Sequence, residues 1–211
     1  MPPHADQPIL TAGAPLGESA VVAILLHGRG ASPEDILGLV PALARPAVTY
    51  LAPTAAHHTW YPYSFLNDLS ENEPHLSSAL AMLERLIGQL ADRGVPRGQI
   101  VLLGFSQGAC LATEFAVRHA GRYGGIVAFS GGLIGPAGTV WDGPGAFDGT
   151  PVFLGCSDVD PHIPASRVDE TEAVFQRMGA EVTKRLYPGM GHLVNEDEIE
   201  AARAILGGVR S

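Results

Sequence analysis

The stretch Ile100-Val101-Leu102-Leu103-Gly104-Phe105-Ser106-Gln107-Gly108-Ala109-Cys110-Leu111-Ala112 decides how this chain is read. Ile100 to Leu103 is a short apolar run rich in branched residues, which predicts a buried strand. Ala109 to Val117 has the composition of a helix. Between them stands a G-x-S-x-G. In that context it is a tight turn that forces the serine backbone into a strained conformation and leaves the hydroxyl exposed. Glycine is needed at 104 and 108 because Cβ atoms there would collide with the neighbouring strand and helix. Ser106 is therefore a candidate nucleophile, and the following N–H, that of Gln107, points to where a reacting carbonyl oxygen would lie. The alternative is a helix-capping serine in an ordinary strand-to-helix turn. A capping serine needs no base and no acid, so the rest of the chain bears on the choice.

Outward from this turn, apolar strand-like runs recur at Val21–Leu26, Val48–Leu51, Gly125–Phe129, Pro151–Gly155 and Val182–Tyr187, with Ile9–Ala12 as an edge strand. Ser32-Pro33-Glu34-Asp35 predicts a helix start: a serine cap, a proline in the first turn, then acids at the positive end of the dipole. Leu76, Leu80, Leu83, Ile87 and Leu90 recur at helical spacing. Arg167–Met178 ends at Gly179 and Asn195–Leu206 at Gly207-Gly208, both fitting glycine termination. Near-continuous apolar strands alternating with amphipathic helices predict an α/β fold: a mainly parallel sheet with helices on both faces. One domain over residues 1–211 is expected, with no large cap domain. The Gly/Pro-rich stretch Gly131–Thr150, containing Trp141 and Phe147, reads either as a lid or pocket wall or as a plain surface excursion.

A nucleophilic serine needs a base to take its proton and an acid to hold the base in the right tautomer. In sites built on this turn, acid and then histidine follow the serine along the chain. His119, His162 and His192 follow Ser106. His119 falls near the end of the helix after the turn, directed away from it, where it suits the helix dipole. His162 is too close in sequence to the candidate acids to be the base they orient. His192 lies in Pro188-Gly189-Met190-Gly191-His192, a flexible turn after the last strand, from which a loop can carry an imidazole across the strand ends. His192 is the expected base. The acid should come from the loop after Pro151–Gly155, which offers Asp158 and Asp160. Asp160 is preferred because the following proline holds the local backbone extended; Asp158 reads as a loop-stabilising acceptor. A metal site from Asp158, Asp160 and His162 would lack a complete coordination set. An oxyanion needs two converging N–H donors. Gln107 supplies one, and the His27-Gly28-Arg29-Gly30 loop after Val21–Leu26 supplies the other through the N–H of Arg29. His27 reads as a structural hydrogen-bonding residue at the strand end.

These pieces, in this order from Val21 to His192, resemble the phospholipase/carboxylesterase family of α/β-hydrolases, the group that includes acyl-protein thioesterases. The motifs that carry the resemblance are His27-Gly28-Arg29-Gly30, Gly104-Phe105-Ser106-Gln107-Gly108, Asp158-Val159-Asp160-Pro161-His162-Ile163-Pro164 and Gly191-His192. The resemblance implies an α/β-hydrolase fold, Ser106, Asp160 and His192 as a catalytic triad, and the Arg29 and Gln107 N–H groups as the oxyanion hole. It also implies that Trp60 lies near the substrate pocket. The chain departs from the family where it has Cys156-Ser157 in place of His-Gly, Arg29 in place of a small apolar residue, and Ala31 in place of an aspartate. Arg29 is read as a solvated loop arginine or as a cation at the pocket mouth favouring an anionic ester. Trp60-Tyr61-Pro62-Tyr63-Ser64-Phe65 concentrates four aromatics in one loop, and a pocket lined by Tyr61 and Phe65 suits acyl chains or aromatic esters. Loop packing is the alternative.

Composition narrows the partners. The chain has 211 residues, 46% of them hydrophobic and 17% charged, as an ordinary globular domain does. Its formal charge of −9, without a basic run, argues against nucleic acid and anionic membrane surfaces. Cys110 and Cys156 are too few for a disulfide scaffold and read as small buried hydrophobes. Met1 to Pro8 lacks the basic start and apolar core of a signal peptide, so a cytoplasmic location is expected. The expectation is a serine hydrolase acting on short-to-medium acyl or aromatic esters, with no cofactor and no metal. Thioesterase and lysophospholipase activity are alternatives, a non-catalytic ligand-binding protein is a remote one, and a homodimer is left open.

Overall fold

The structure is a computed structural model and describes residues 2–209. Its elements run β1 (Ile9–Gly13), β2 (Val21–Leu26), α1 (Pro33–Leu37), α2 (Val40–Leu43), β3 (Val48–Pro53), α3 (His75–Asp92), β4 (Ile100–Phe105), α4 (Gln107–Arg118), β5 (Gly125–Phe129), β6 (Pro151–Ser157), α5 (Ala165–Arg177), β7 (Glu181–Tyr187) and α6 (Glu196–Gly208). The strands form one sheet in the order β1-β3-β2-β4-β5-β6-β7. β1 runs antiparallel to β3 at the edge. Every other neighbouring pair is parallel. The expected strands are therefore all present, with β2 and β5 as expected and the other five extended by one or two residues. β6 continues through Cys156 and Ser157 because their backbones pair with Leu186 and Tyr187 of β7.

The central strands show why the sheet is covered on both faces. Along β2, Val22, Ile24 and Leu26 pack into one core with the apolar faces of α3, α4 and α5. The alternate residues Val21, Ala23 and Leu25 pack into a second core with Ile36 of α1, Leu43 of α2 and Ile199, Ala202 and Leu206 of α6. Side chains alternate across a strand, so a run that is apolar at every position must be buried from both sides. The predicted cap at Ser32 forms: its side chain accepts from the Asp35 N–H while the Asp35 carboxylate accepts in return. Among the described residues no helix is long and apolar enough to cross a membrane.

The Gly131–Thr150 stretch packs against α4 and α5 and does not line the cleft around Ser106. The Leu133 and Ile134 N–H groups donate to Thr171 Oγ1 of α5 and Glu114 Oε2 of α4, each at 3.0 Å. Phe147 is buried, stacked at 4.8 Å on Phe175.

The whole arrangement converges on the turn between β4 and α4. Ser106 sits at φ 55° and ψ −121°, a region costing a non-glycine residue roughly 1–3 kcal/mol. A Cβ at Gly108 would collide with the Leu26 carbonyl of β2, and one at Gly104 with the Gly108 backbone. Gly108→Ala is therefore expected to destabilise the fold by more than about 2 kcal/mol, because backbone on both sides must move. Gly88→Ala, in open space on α3, should be neutral or stabilising by up to about 1 kcal/mol. Urea denaturation of the two variants checks the pair.

Candidate active site

Three side chains from three loops meet above the ends of the parallel strands. His192 Nε2 lies 2.8 Å from Ser106 Oγ, and His192 Nδ1 lies 2.7 Å from Asp160 Oδ2. The Asp160 side chain is fully buried and His192 is partly exposed. The Asp160 carboxyl also accepts the N–H groups of His162 at 2.8 Å and Ile163 at 3.0 Å. Burial works to raise its pKa, but the bond to His192 and these two N–H groups outweigh it and hold it below the usual value. An ionised carboxylate only accepts, so Nδ1 of His192 carries the proton and the Nε2 lone pair faces the Ser106 hydroxyl.

Asp158, the other candidate acid, faces elsewhere: its Oδ1 accepts the Gly189 N–H at 2.8 Å. Ser157 Oγ accepts the Gly191 N–H at 3.1 Å. These two bonds tie the loop that carries His192 to the loop that carries Asp160. His119 caps α4 and stacks on Phe115 at 4.4 Å, away from the turn. His27 is buried, its Nε2 accepting the Ala55 N–H and its Nδ1 bonded to the Gly28 carbonyl, so it shapes the loop before Arg29. Asp158, Asp160 and His162 do not converge as ligands, and no metal-binding group of acids, histidines or cysteines occurs among the described residues.

A cleft of about 590 Å³ opens over Ser106. Gly28, Arg29, Tyr61, Phe65, Gln107, His162 and His192 are among its lining residues. Gln107 is the first residue of α4, so its N–H has no acceptor within the helix. The Arg29 N–H has no acceptor among the described residues. Two free donors thus flank the serine from the loops after β2 and β4.

Trp60 does not line the cleft. It is fully buried: its indole N–H donates to the His27 carbonyl at 2.8 Å and its backbone N–H to Gln107 Oε1 at 2.9 Å. An indole needs one partner for its N–H when buried, and the strand end before Gly28 provides it. Trp60 instead supports the floor on which Tyr61 stands. Gln107 Nε2 completes this link with a 2.8 Å bond to the Tyr61 carbonyl. The sequence marks Gln107 only by its position after the serine, because the partners of its side chain lie on the distant Trp60-Tyr61 loop. Arg29 is exposed, and its guanidinium donates to the Pro62 and Tyr63 carbonyls.

One buried acid also escaped the sequence. Glu198 follows Asn195-Glu196-Asp197, which reads as a solvated acidic helix start, yet its side chain is buried against Gly155 of β6. One carboxyl oxygen accepts the Asn195 N–H in a capping box, while the other has no partner among the described residues. Burial pushes its pKa up to about 7. Cys156, beside Asp160, is pushed up to about 12 by burial, and Cys110 to about 11, so neither is a thiolate nucleophile near neutral pH.

The fold and the meeting of Ser106, His192 and Asp160 define an α/β-hydrolase. A family model described as Phospholipase/Carboxylesterase matches residues 13–207, and the chain belongs to that family. A crystal structure of a phospholipase/carboxylesterase from Dyadobacter fermentans is 40% identical, with a TM-score of 0.93 over 98% of this chain and 99% of that one. The Bacillus cereus carboxylesterase shares the fold at 21% identity, with a TM-score of 0.75 over 98% of this chain and 96% of that one. Acyl-protein thioesterase 1 of Saccharomyces cerevisiae is 33% identical over 126 residues, 58% of this chain and 55% of that protein. Its Neurospora crassa counterpart is 29% identical over 139 residues, 65% of this chain and 57% of that protein. The chain thus spans little more than half the length of these two relatives.

The buried Glu198 gives a prediction. An acid whose folded pKa is raised keeps its proton longer in the folded state, so its contribution to stability is full below about 4.5 and is lost as pH rises toward about 7. His4 and His27, whose pKa values burial lowers, contribute the opposite slope. The stability difference between wild type and Glu198→Gln should therefore move against the wild type from pH 4.5 to 7 and level off above. Chemical denaturation across that range measures it, and parallel curves would contradict the assignment.

Proposed function

We propose that this protein is a serine carboxylesterase that works through an acyl-enzyme. The observation that carries the reading is the unbroken line from Asp160 through His192 to Ser106, ending in an open cleft. His192 Nε2 takes the Ser106 proton as Oγ attacks the ester carbonyl. The N–H groups of Arg29 and Gln107 hold the oxyanion; each such donor is worth about 10²–10³ in rate. Asp160 stabilises the imidazolium, which then protonates the leaving alcohol. Water, deprotonated by the same imidazole, attacks the acyl-enzyme and frees Ser106.

Tyr61 and Phe65 on the cleft wall suit short-to-medium acyl chains or aromatic esters. A thioester reading has its own support, since the yeast and Neurospora relatives are acyl-protein thioesterases. The chemistry is the same, with a thiol in place of the alcohol. Small ester or thioester substrates, a cytoplasmic location and a single folded unit complete the proposal.

Ser106→Ala should lower kcat by about 10⁴-fold or more with the fold intact, and Asp160→Asn by about 10³–10⁴-fold. Asp158→Asn, which only loosens a loop bond, should cost less than about tenfold, as a displaced positioning contact does. Stopped assays with nitrophenyl esters of graded chain length read all three. Equal losses from the two aspartate variants would remove Asp160 from its role. Including one acyl thioester of matched chain length decides between ester and thioester by the ratio of kcat/KM.

A further inference from the structure

No carboxylate lines the cleft, although the chain as a whole is acidic, with a formal charge of −9. Arg29, His162 and His192 all line it. Arg29 is the permanent cation among them. One of its terminal nitrogens donates to the Pro62 carbonyl and the other to the Tyr63 carbonyl, each at 2.5 Å. The guanidinium carbon lies 5.9 Å from the centre of the Tyr61 ring. Two bonds to fixed backbone oxygens hold the planar fork in place, so little side-chain freedom remains to be lost when a ligand binds. A guanidinium has five N–H donors, and these contacts leave several of them free. Arg29 has no acidic partner among the described residues, a state it shares with Arg45, Arg97 and Arg122, but of these only Arg29 lines the cleft. It is a pre-positioned cation without a counter-ion, at the edge of a reactive cleft.

The direction in which it acts follows from the sheet. Ser106 follows β4; Arg29 follows β2, the neighbour on one side, and His192 follows β7, at the far edge on the other. The leaving group must depart beside His192, which protonates it. The side walled by Arg29 and Tyr61 is then left for the acyl part.

Resting on the esterase reading, we propose that Arg29 makes the site selective for esters whose acyl chain ends in a carboxylate, that is, half-esters of dicarboxylic acids. The apolar chain lies along Tyr61 and its terminal carboxylate meets the free N–H groups of Arg29. Charge-assisted pairs of this geometry are stronger than neutral hydrogen bonds and discriminate against the uncharged isostere.

The test compares mono(4-nitrophenyl) adipate with its methyl ester, which has the same chain and leaving group without the charge. Wild type should favour the acid by about tenfold or more in kcat/KM, the scale of one charge-assisted bond. Arg29→Gln should remove that preference, and Arg29→Lys should retain part of it. A loop contact that is merely structural would lower both rates alike and leave their ratio unchanged, so an unchanged ratio in Arg29→Gln overturns the proposal. Wild type that hydrolyses the methyl ester without preferring the acid overturns it while leaving the esterase reading intact. Wild type that hydrolyses neither substrate overturns both.

Discussion

The turn at Ser106 is the constraint on which the rest of the site depends. Its backbone is held at positive φ by what surrounds it. The Ser106 N–H donates to the Phe129 carbonyl of β5 at 2.9 Å, and Gly108 lies directly against the Leu26 carbonyl of β2. The strain of roughly 1–3 kcal/mol is small beside the burial of β2 and β4, where each buried Leu or Ile contributes about 1.5–3 kcal/mol. Strands that pack this tightly over-determine the turn between them. The same turn starts α4, frees the Gln107 N–H, and points the Gln107 side chain at the backbone of Trp60 and Tyr61. One local conformation thus sets the serine hydroxyl, a free N–H and a wall of the cleft.

The other half of the site is held by hydrogen bonds between loops, with the His192 ring packed on Phe105 at 4.9 Å. His192 lies on a turn after β7 that is tied to the Asp160 loop by Asp158 and Ser157, and is followed at once by the Asn195–Glu198 capping box. Asp160, buried and fed by two backbone N–H groups as well as by His192, stays ionised and so determines which imidazole nitrogen carries the proton. The site therefore joins a half built on the sheet to a half built on loops, where polar contacts and the packing of His192 on Phe105 set the geometry.

Much of this was legible in the chain. Runs such as Val21–Leu26 are apolar at every position because both faces are covered, and that signal survives without an alignment. Ser106, Asp160 and His192 could be picked out because each sits beside residues that constrain the backbone: glycines at the turn, proline after the acid, glycines before the histidine. Residues whose role depends on distant partners were less readable. Trp60 was expected at the pocket from the family resemblance, but the carbonyl that accepts its indole N–H belongs to His27, in the loop after β2. Arg29 could be read as solvated or as a pocket cation, since the carbonyls that pin it lie on the aromatic loop. Glu198 was hidden in an acidic helix start, and only the absence of a side chain at Gly155 makes room for it.

The central claim is that Ser106 is a nucleophile activated by His192. Fluorophosphonate labelling of the folded protein, with the modified peptide located by mass spectrometry, tests it most directly. The account predicts a single adduct on Ser106, slowed by orders of magnitude in His192→Ala. Folded protein that takes no label, or label on another residue at the wild-type rate in Ser106→Ala, would contradict it.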